Sequence, residues 1–344
     1  MTSKERFLAT VARKSVDRPA CWVGMPDQAS LPALFKYYGV NDMPGFKAKL
    51  NDDAYAIEPP YESETASAIY AAFDWYSRGN VDKVNRTLTT PGFFAESEDV
   101  SEVDEFNWPD PAKYMNPDEM ERRFALLPKD KASIGMVWSA HFQDTCAAFG
   151  MNNCFMNMID NPELVHAVND RIVNFYLKAN EIFYKAAKGR LDCIVIGNDM
   201  GTQRGLMLSP DLIEEFVLPG CRLLTGQAHK YGIKVIYHSC GSIDAIIDRL
   251  IDAGVDAIHP IQAKAAGMMA EDLKDRFGGR ISFVGGMDTQ ELLVRGSVED
   301  VKTRVRELRT LFPTGLVISP SHEAVLPDIP PRNIAAMFEE AEAM

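Results

Sequence analysis

The sequence has no long apolar run and no apolar segment at its start. Its longest apolar stretches, such as Cys193–Gly197, are far shorter than the roughly 20 residues that cross a bilayer as a helix. The first 18 residues are polar and charged, which is unlike a secretory signal. We therefore expect neither a membrane-spanning nor an exported protein, and the predicted location is the cytoplasm.

Basic charge is also scarce. The chain has 36 Lys and Arg against 49 Asp and Glu, a net charge of −13 at pH 7. A protein that binds nucleic acid needs a concentrated basic surface to displace counterions, and none is visible here. Anionic membrane surfaces are disfavoured for the same reason. The sequence therefore predicts no nucleic-acid partner and no membrane partner.

Cysteine is sparse and scattered. Six cysteines in 344 residues do not form the dense framework of a small secreted domain, and we expect most of them to be reduced and buried. They are Cys21, Cys146, Cys154, Cys193, Cys221 and Cys240. A glycine-rich dinucleotide motif and a phosphate-binding loop ending in Gly-Lys-Ser/Thr are also absent from the sequence, which disfavours the nucleotide-binding folds that use them.

A regular alternation of strands and helices is present instead. The pattern predicts strands at 133–138, 191–197, 233–237, 255–258, 280–284 and 315–318, and helices at 162–188, 209–231, 242–253, 270–277, 298–311 and 332–343. The first half is less regular, with a helix at 5–14, strands at 20–24 and 52–58, and a strand pair across 87–96. At least five consecutive parallel βαβ units favour a closed (β/α)₈ TIM barrel over an open doubly wound sheet. We expect one domain over residues 1–344, with an N-terminal extension.

Polar residues follow each of the late apolar strands. In a parallel barrel these strand ends meet on one rim, where such enzymes place their chemistry. The residues concerned are Asn198, Asp199, Gln203, His238, Ser239, Cys240, His259, Gln262, Asp288, Gln290, Ser321 and His322. We therefore predict an active site on this rim.

His238 and Cys240 are the most informative pair. Two residues apart on a strand end, their side chains point to the same face. An imidazole nitrogen and a thiolate are preferred ligands of Zn²⁺, and His322 is the leading candidate for a third ligand. The alternative is that Cys240 is a small buried hydrophobe and His238 a hydrogen-bonded rim residue, since His-x-Cys is less specific than paired Cys-x-x-Cys motifs.

Other rim residues have two interpretations. Asp199 and Asp288 are predicted to orient substrate or ligands or to act as general acid or base, but a helix cap is an equally good assignment. With Gln290 they form the predicted catalytic set. His259 is a candidate substrate contact, or simply a packed histidine. The remaining predicted substrate contacts are Asn198, Gln203, Trp22 and Met25.

Four segments together resemble the uroporphyrinogen decarboxylase superfamily. They are Tyr-His-Ser-Cys-Gly-Ser at 237–242, Gly-Gly-Met-Asp-Thr-Gln at 285–290, Pro-Ser-His at 320–322 and Asp-Ile-Pro-Pro-Arg-Asn-Ile at 328–334. The resemblance covers the C-terminal half well and the first 130 or so residues only loosely. It implies a (β/α)₈ barrel over essentially the whole chain.

The decarboxylase branch of that superfamily needs no cofactor. It is expected to hold an acidic porphyrinogen with arginines in an N-terminal loop. The comparable loop here, Pro-Asp-Gln-Ala-Ser-Leu-Pro at 26–32, has no arginine, and Asp27 would repel a propionate. The catalytic aspartate of that branch has no convincing counterpart in this sequence, and Asp74 is only a distant match. The missing arginines and Asp27 disfavour this activity, so a cofactor-independent decarboxylase is the alternative prediction and not the leading one. A non-catalytic barrel that binds a ligand or carrier protein is a third.

The other branch comprises cobamide-dependent methyltransferases and O-demethylase methyltransferases, which bind zinc through His-x-Cys-Gly. His238, Cys240 and Gly241 match that motif, while His322 stands where a later cysteine is usual. The resemblance implies a zinc-dependent enzyme that moves a methyl group between a small methylated substrate, such as a methyl ether, and a corrinoid on a partner protein. The segment 227–232 has glutamine in place of the aspartate of a cobalamin-binding loop, so the corrinoid is expected in trans. The sequence leaves open whether the protein is a homodimer.

Overall fold

The structure is a computed structural model that describes residues 1–62, 69, 72–75, 87–322 and 324–343. Its centre is a parallel sheet with strand order β1-β8-β7-β6-β5-β4-β3-β2, curled into the predicted (β/α)₈ barrel. The strands are β1 Ala20–Cys21, β2 Ala54–Ile57, β3 Ala132–Trp138, β4 Cys193–Gly197, β5 Lys234–His238, β6 Ala257–Ile261, β7 Ser282–Met287 and β8 Leu316–Pro320.

Helices surround the sheet. They are α1 Ser3–Val11, α2 Leu31–Tyr38, α3 Met43–Leu50, α4 Pro117–Leu126, α5 His141–Phe149, α6 Met151–Asp160, α7 Pro162–Ala187, α8 Pro210–Phe216, α9 Leu218–Lys230, α10 Ile247–Asp252, α11 Ala270–Phe277, α12 Leu292–Arg295, α13 Val298–Leu311 and α14 Pro331–Ala343. Short 3₁₀ helices lie at Val100–Glu105, Pro111–Lys113 and Asp244–Ile246. Among the described helices, none combines the length and apolar character that crossing a membrane demands.

Both faces of the strands are buried. In β4, Cys193 and Val195 belong to the cluster inside the barrel, while Ile194 and Ile196 pack in the outer layer under the helices. A parallel strand covered on both sides is expected to be apolar throughout, as this one is. The inner cluster also contains Trp22 of the β1 end, so the barrel is filled with side chains beneath its rim.

A carboxylate helps to close the barrel between β1 and β2, the two ends of the strand order. Asp53 N donates to Cys21 O at 3.1 Å, and Asp53 Oδ2 accepts from Cys21 N at 2.9 Å. The fully buried Asp53 side chain also accepts from Arg6 at 2.8 Å and from Arg18 at 3.0 Å. One backbone hydrogen bond and the hydrogen bonds of the Asp53 side chain therefore join β1 to β2 in place of a regular backbone ladder.

The predicted strand pair across 87–96 is wrong. This segment forms turns, with Thr90 N bonded to Thr87 O at 3.0 Å and Phe94 N bonded to Ala148 O at 2.8 Å. Its two adjacent aromatic residues pack against other rings, since the rings of Phe93 and Phe94 lie 4.9 and 5.8 Å from the ring of Phe106.

The helix predicted at 209–231 is two helices, α8 and α9, separated at Val217. Pro219 explains the break because it has no N–H for the carbonyl four residues earlier and its ring clashes with that carbonyl.

The first turns of the helix predicted at 242–253 are irregular and 3₁₀, and α10 begins only at Ile247. Strand β6 runs to Ile261, so His259 lies within a strand and not after its end. The other late strands and helices are confirmed, with shifts of a few residues at their ends.

Candidate metal centre

Three side chains converge on the barrel rim. Asp199, His238 and Cys240 each present one ligand atom, and these atoms all lie within 4.8 Å of one another; it is the one such group found among the described residues. His238 is the last residue of β5, and the register pairs it with Gly197 at the end of β4. Asp199 follows Gly197 by two residues, so two adjacent strand ends supply the whole cluster.

Hydrogen bonds fix the direction of each group. His238 Nε2 lies 3.4 Å from Asp199 Oδ1 and 3.6 Å from Cys240 Sγ. Cys240 N donates to Asp199 Oδ1 at 2.8 Å, and Gln143 Nε2 donates to Asp199 Oδ2 at 3.3 Å. The carboxylate is therefore held on both oxygens, with Oδ1 towards the imidazole and the thiol.

The surroundings favour the charged form of both acids. Burial raises the pKa of Asp199, but hydrogen bonds from His238 and from Cys240 N outweigh it, and the net pKa lies below the ordinary value. Burial also raises the pKa of the Cys240 thiol, and hydrogen bonds from His238 and His322 outweigh that effect and lower the net pKa. A thiolate is the form of cysteine that binds metals.

The geometry and the donor set fit zinc. Tetrahedral zinc with ligands at about 2.0 to 2.3 Å has neighbouring ligand atoms roughly 3.3 to 3.8 Å apart. The distances from His238 Nε2 to Asp199 and Cys240, 3.4 and 3.6 Å, fall in that range. A neutral imidazole, a thiolate and a carboxylate also carry two negative charges, which balance a divalent cation.

His322 is a neighbour of this cluster and not one of its three members. It follows the end of β8, hydrogen-bonds to Cys240, and its Nδ1 accepts from Ala324 N at 3.1 Å. Asp199, predicted as a catalytic residue, is the third member of the geometric cluster. A metal-binding role for His322 therefore stays a prediction.

Aromatic and imidazole rings form the inner wall behind His238. His259 Nδ1 lies 2.8 Å from His238 Nδ1, and the Trp22 ring lies 5.5 Å from that of His259. The Trp138 ring stands edge-on to His238 at 5.4 Å. Asn198 is fully buried and accepts from Phe142 N at 2.9 Å, which ties β4 to the start of α5.

The other predicted residues lie elsewhere on the rim. Asp288 accepts backbone N–H groups of Gln290, Glu291 and Leu292 at 3.0 to 3.2 Å, the contacts of a cap at the start of α12. The side chains of Gln290 and Gln203 are exposed. Met25 lines a groove of about 400 Å³ with Gln28, Ala56, Glu58 and other residues near the ends of β1 and β2. Their catalytic or substrate-binding roles stay predictions.

Gln143 and Trp138 are the residues that the sequence did not reveal. Trp138 is the last residue of β3, and Gln143 lies in α5, the next element. Polar residues follow β3 as they follow the later strands, and Gln143 is one of them. The contact of Trp138 with His238 could not be predicted from the sequence. It depends on the left-handed backbone of Trp138, at φ 67°, and on the missing side chain of Gly197, where a Cβ would lie 2.7 Å from the indole.

Two comparisons each find a methyltransferase of Methanosarcina mazei that is similar to this chain. The chain is 25% identical over 266 residues to methylated-thiol–coenzyme M methyltransferase of Methanosarcina mazei; the match covers 73% of this chain and spans 63% of that relative's length. A solved methyltransferase from Methanosarcina mazei superposes with a TM-score of 0.71 at 18% identity, covering 100% of this chain and 99% of the other, which shows a shared fold.

A family profile is the most informative comparison. The profile described as Uroporphyrinogen decarboxylase (URO-D) matches residues 127–344, well over half of the chain, and that span holds all three members of the cluster. The chain therefore belongs to the uroporphyrinogen decarboxylase (URO-D) family.

Proposed function

We propose that this protein is a zinc-dependent methyltransferase that moves a methyl group between a small methylated substrate and a corrinoid carried by a partner protein. The observation that carries the proposal is the convergence of one carboxylate, one imidazole and one thiol within 4.8 Å at the ends of β4 and β5. A relative named for its action on methylated thiols supports a methylated thiol as the substrate, beside the methyl ether expected from the sequence.

Asp199, His238 and Cys240 would hold the zinc through Oδ1, Nε2 and Sγ. Bound there, zinc supplies a Lewis acid that polarises a methyl-ether oxygen or lowers the pKa of a thiol. Gln143 and the Cys240 amide keep the Asp199 carboxylate aimed at the cation. Three protein ligands leave the fourth tetrahedral position for substrate, as catalytic zinc sites require.

In the proposal, His322 lies beside the ligand position that Asp199, His238 and Cys240 leave open. Its Nδ1 accepts from Ala324 N, so the hydrogen of the neutral ring lies on Nε2, which would donate towards Cys240. The leaving oxygen of an ether must gain a proton, which solvent water at the rim would supply. The corrinoid partner would dock over the rim, since substrate and cation both lie at the C-terminal ends of the strands.

Metal analysis with matched variants tests the proposal. Elemental analysis of the zinc-loaded protein should find one zinc per chain, lost in Cys240→Ser and His238→Ala and weakened in Asp199→Asn. Cys221→Ser is the control, because Cys221 is buried in α9 with Thr225 at 3.9 Å, and it should keep its zinc. Removal of methyl from free methylcobalamin by a small thiol, followed by its visible spectrum, should require the same residues.

The decarboxylase alternative makes the opposite prediction. The loop expected to hold a porphyrinogen presents Asp27, whose Oδ1 accepts from Ala29 N at 2.8 Å in a turn before α2. Metal-free protein that converts uroporphyrinogen, with full activity in Cys240→Ser, would replace the methyltransferase proposal. A protein that binds ligand but shows neither activity would support a non-catalytic barrel.

A further inference from the structure

The strand register brings two histidine rings together behind the metal cluster. His238 of β5 and His259 of β6 are paired in the parallel ladder, and their Nδ1 atoms lie 2.8 Å apart. A hydrogen bond of this length between two imidazole nitrogens needs one N–H and one lone pair. One of the two Nδ1 atoms therefore carries the hydrogen and the other does not.

The other nitrogen of His238, Nε2, decides which of the two Nδ1 atoms carries the hydrogen. Nε2 of His238 faces Asp199 Oδ1 and Cys240 Sγ, so a cation held by these three groups takes the Nε2 lone pair. A neutral imidazole has a single N–H, which must then lie on Nδ1 of His238. Since this N–H donates to His259, the Nδ1 of His259 must be the acceptor and its own hydrogen must lie on Nε2.

The surroundings of His259 agree with a neutral ring. Its side chain is 1% exposed, and its Nε2 is buried with no hydrogen-bond partner among the described residues. The Trp22 ring is 5.5 Å from the His259 ring on the side of the barrel interior. The described neighbours of the His259 ring are thus the His238 and Trp22 rings, and the hydrogen bond printed for it is the one to His238 Nδ1.

We propose that His259 is a positioning residue that accepts the Nδ1–H of His238 and so presents the Nε2 lone pair of His238 to the metal. The inference rests on the proposed function, and it replaces the substrate contact predicted for His259. Metal-ligating histidines usually donate to a carboxylate, a carbonyl or water. A neutral imidazole acceptor adds no negative charge behind the ligand, so the cation keeps more of its Lewis acidity.

Zinc affinity in two His259 variants tests the proposal. In His259→Asn the amide oxygen can stand where Nδ1 stood and accept the same N–H, whereas His259→Leu fills the space without an acceptor. We expect His259→Leu to bind zinc about 10- to 100-fold more weakly in competition with a chromogenic chelator. His259→Asn should stay close to the wild type.

His141→Leu is the matched control. His141 is another fully buried histidine whose Nε2 has no hydrogen-bond partner within the described part of the chain, and its Nδ1 lies 3.1 Å from Asn169 Oδ1. Its loss removes the same volume of buried imidazole without touching the His238 ring contact, so its zinc affinity should equal that of the wild type. Equal affinity in His259→Leu, or equal losses in both His259 variants, would overturn the proposal.

The wild-type protein provides a second measurement that no folding defect can disturb. In the zinc-loaded protein, ¹⁵N spectra of labelled histidines should show Nδ1–H for His238 and Nε2–H for His259; an Nδ1–H on His259 would overturn the inference. A wild type that binds no zinc would refute the proposed function and this inference together. Zinc bound independently of His259 would refute the inference alone.

Discussion

At the residue scale, charge decides what the rim cluster can hold. A thiolate and a carboxylate side by side repel each other unless a cation lies between them. The structure lowers the pKa of both Cys240 and Asp199 below their ordinary values, despite burial that opposes ionisation. These shifts favour the anionic form of both groups, and in the proposed function a divalent cation would balance their charge.

His141 shows the opposite case, a titratable group kept neutral. Burial lowers its pKa to about 4, and the bond to Asn169 only partly offsets this effect. The unfolded chain, with a histidine pKa of about 6.5, binds more protons between pH 4 and 6.5, so stability falls as the pH falls through that window. We expect this residue to contribute a loss of roughly 2 to 3 kcal/mol between pH 7.5 and 4.5.

Urea unfolding at the two pH values measures this effect. In His141→Leu the contribution of His141 should vanish, so the variant should lose less stability than the wild type on acidification. Asn169 Oδ1 keeps its bond to Thr145 Oγ1 at 3.1 Å in that variant, which leaves the pocket satisfied at neutral pH. An unchanged pH dependence would show that His141 does not titrate in this range.

The sequence predicted His238 and Cys240 because a spacing of two on a strand end places both on one face. It did not predict that Asp199 completes the cluster, because this depends on the register of β4 against β5, which pairs Gly197 with His238. It also placed His259 after its strand, since a proline at 260 hid the continuation of β6 to Ile261. Long-range register is invisible to local patterns.

At the element scale, α9 carries two glycines with different surroundings. A Cβ on Gly226 would meet no atom within 4 Å, whereas one on Gly220 would lie 2.8 Å from His141 Cε1 and 2.9 Å from Val173 Cγ2. Gly226→Ala should therefore stabilise the protein by about 0.5 to 1 kcal/mol through helix propensity alone. Gly220→Ala has the same propensity gain but should destabilise by about 1 to 3 kcal/mol through overpacking.

Thermal unfolding of the two variants checks this pair directly. Because both substitutions lie in one helix, their difference isolates the close approach of α9 to α5 and α7. Similar melting temperatures for Gly220→Ala and Gly226→Ala would mean that the helices are less tightly packed than the structure shows.

Elements were predicted best where periodicity alone decides them. Helices α11 and α13 have the predicted bounds, Ala270–Phe277 and Val298–Leu311, because amphipathic spacing and capping residues are local. The strand pair predicted at 87–96 does not form because tertiary ring contacts of Phe93 and Phe94 decide the conformation of this segment. The break between α8 and α9 could have been predicted from Pro219.

At the scale of the whole molecule, the barrel was predictable and its closure was not. Consecutive βαβ units favour a barrel, but the buried Asp53 that joins β1 to β2 belongs to the irregular first half. Asp53→Ala should cost about 3 to 5 kcal/mol, because it leaves the largely buried Arg6 and Arg18 without their shared anion.

Asp17→Ala is the control for Asp53→Ala. Asp17 pairs with the same Arg6 but is 40% exposed, so its loss should cost less than about 1 kcal/mol. Urea unfolding of both variants measures the difference. Equal losses would show that the carboxylate between β1 and β2 has no special part in closing the barrel.

X-ray absorption at the zinc edge of the zinc-loaded protein tests the central claim most directly. The account predicts one sulfur at about 2.3 Å, from Cys240, and nitrogen or oxygen ligands at about 2.0 to 2.2 Å, from His238, Asp199 and the open position. A spectrum with no sulfur in the first coordination sphere, or with two or more, would contradict it.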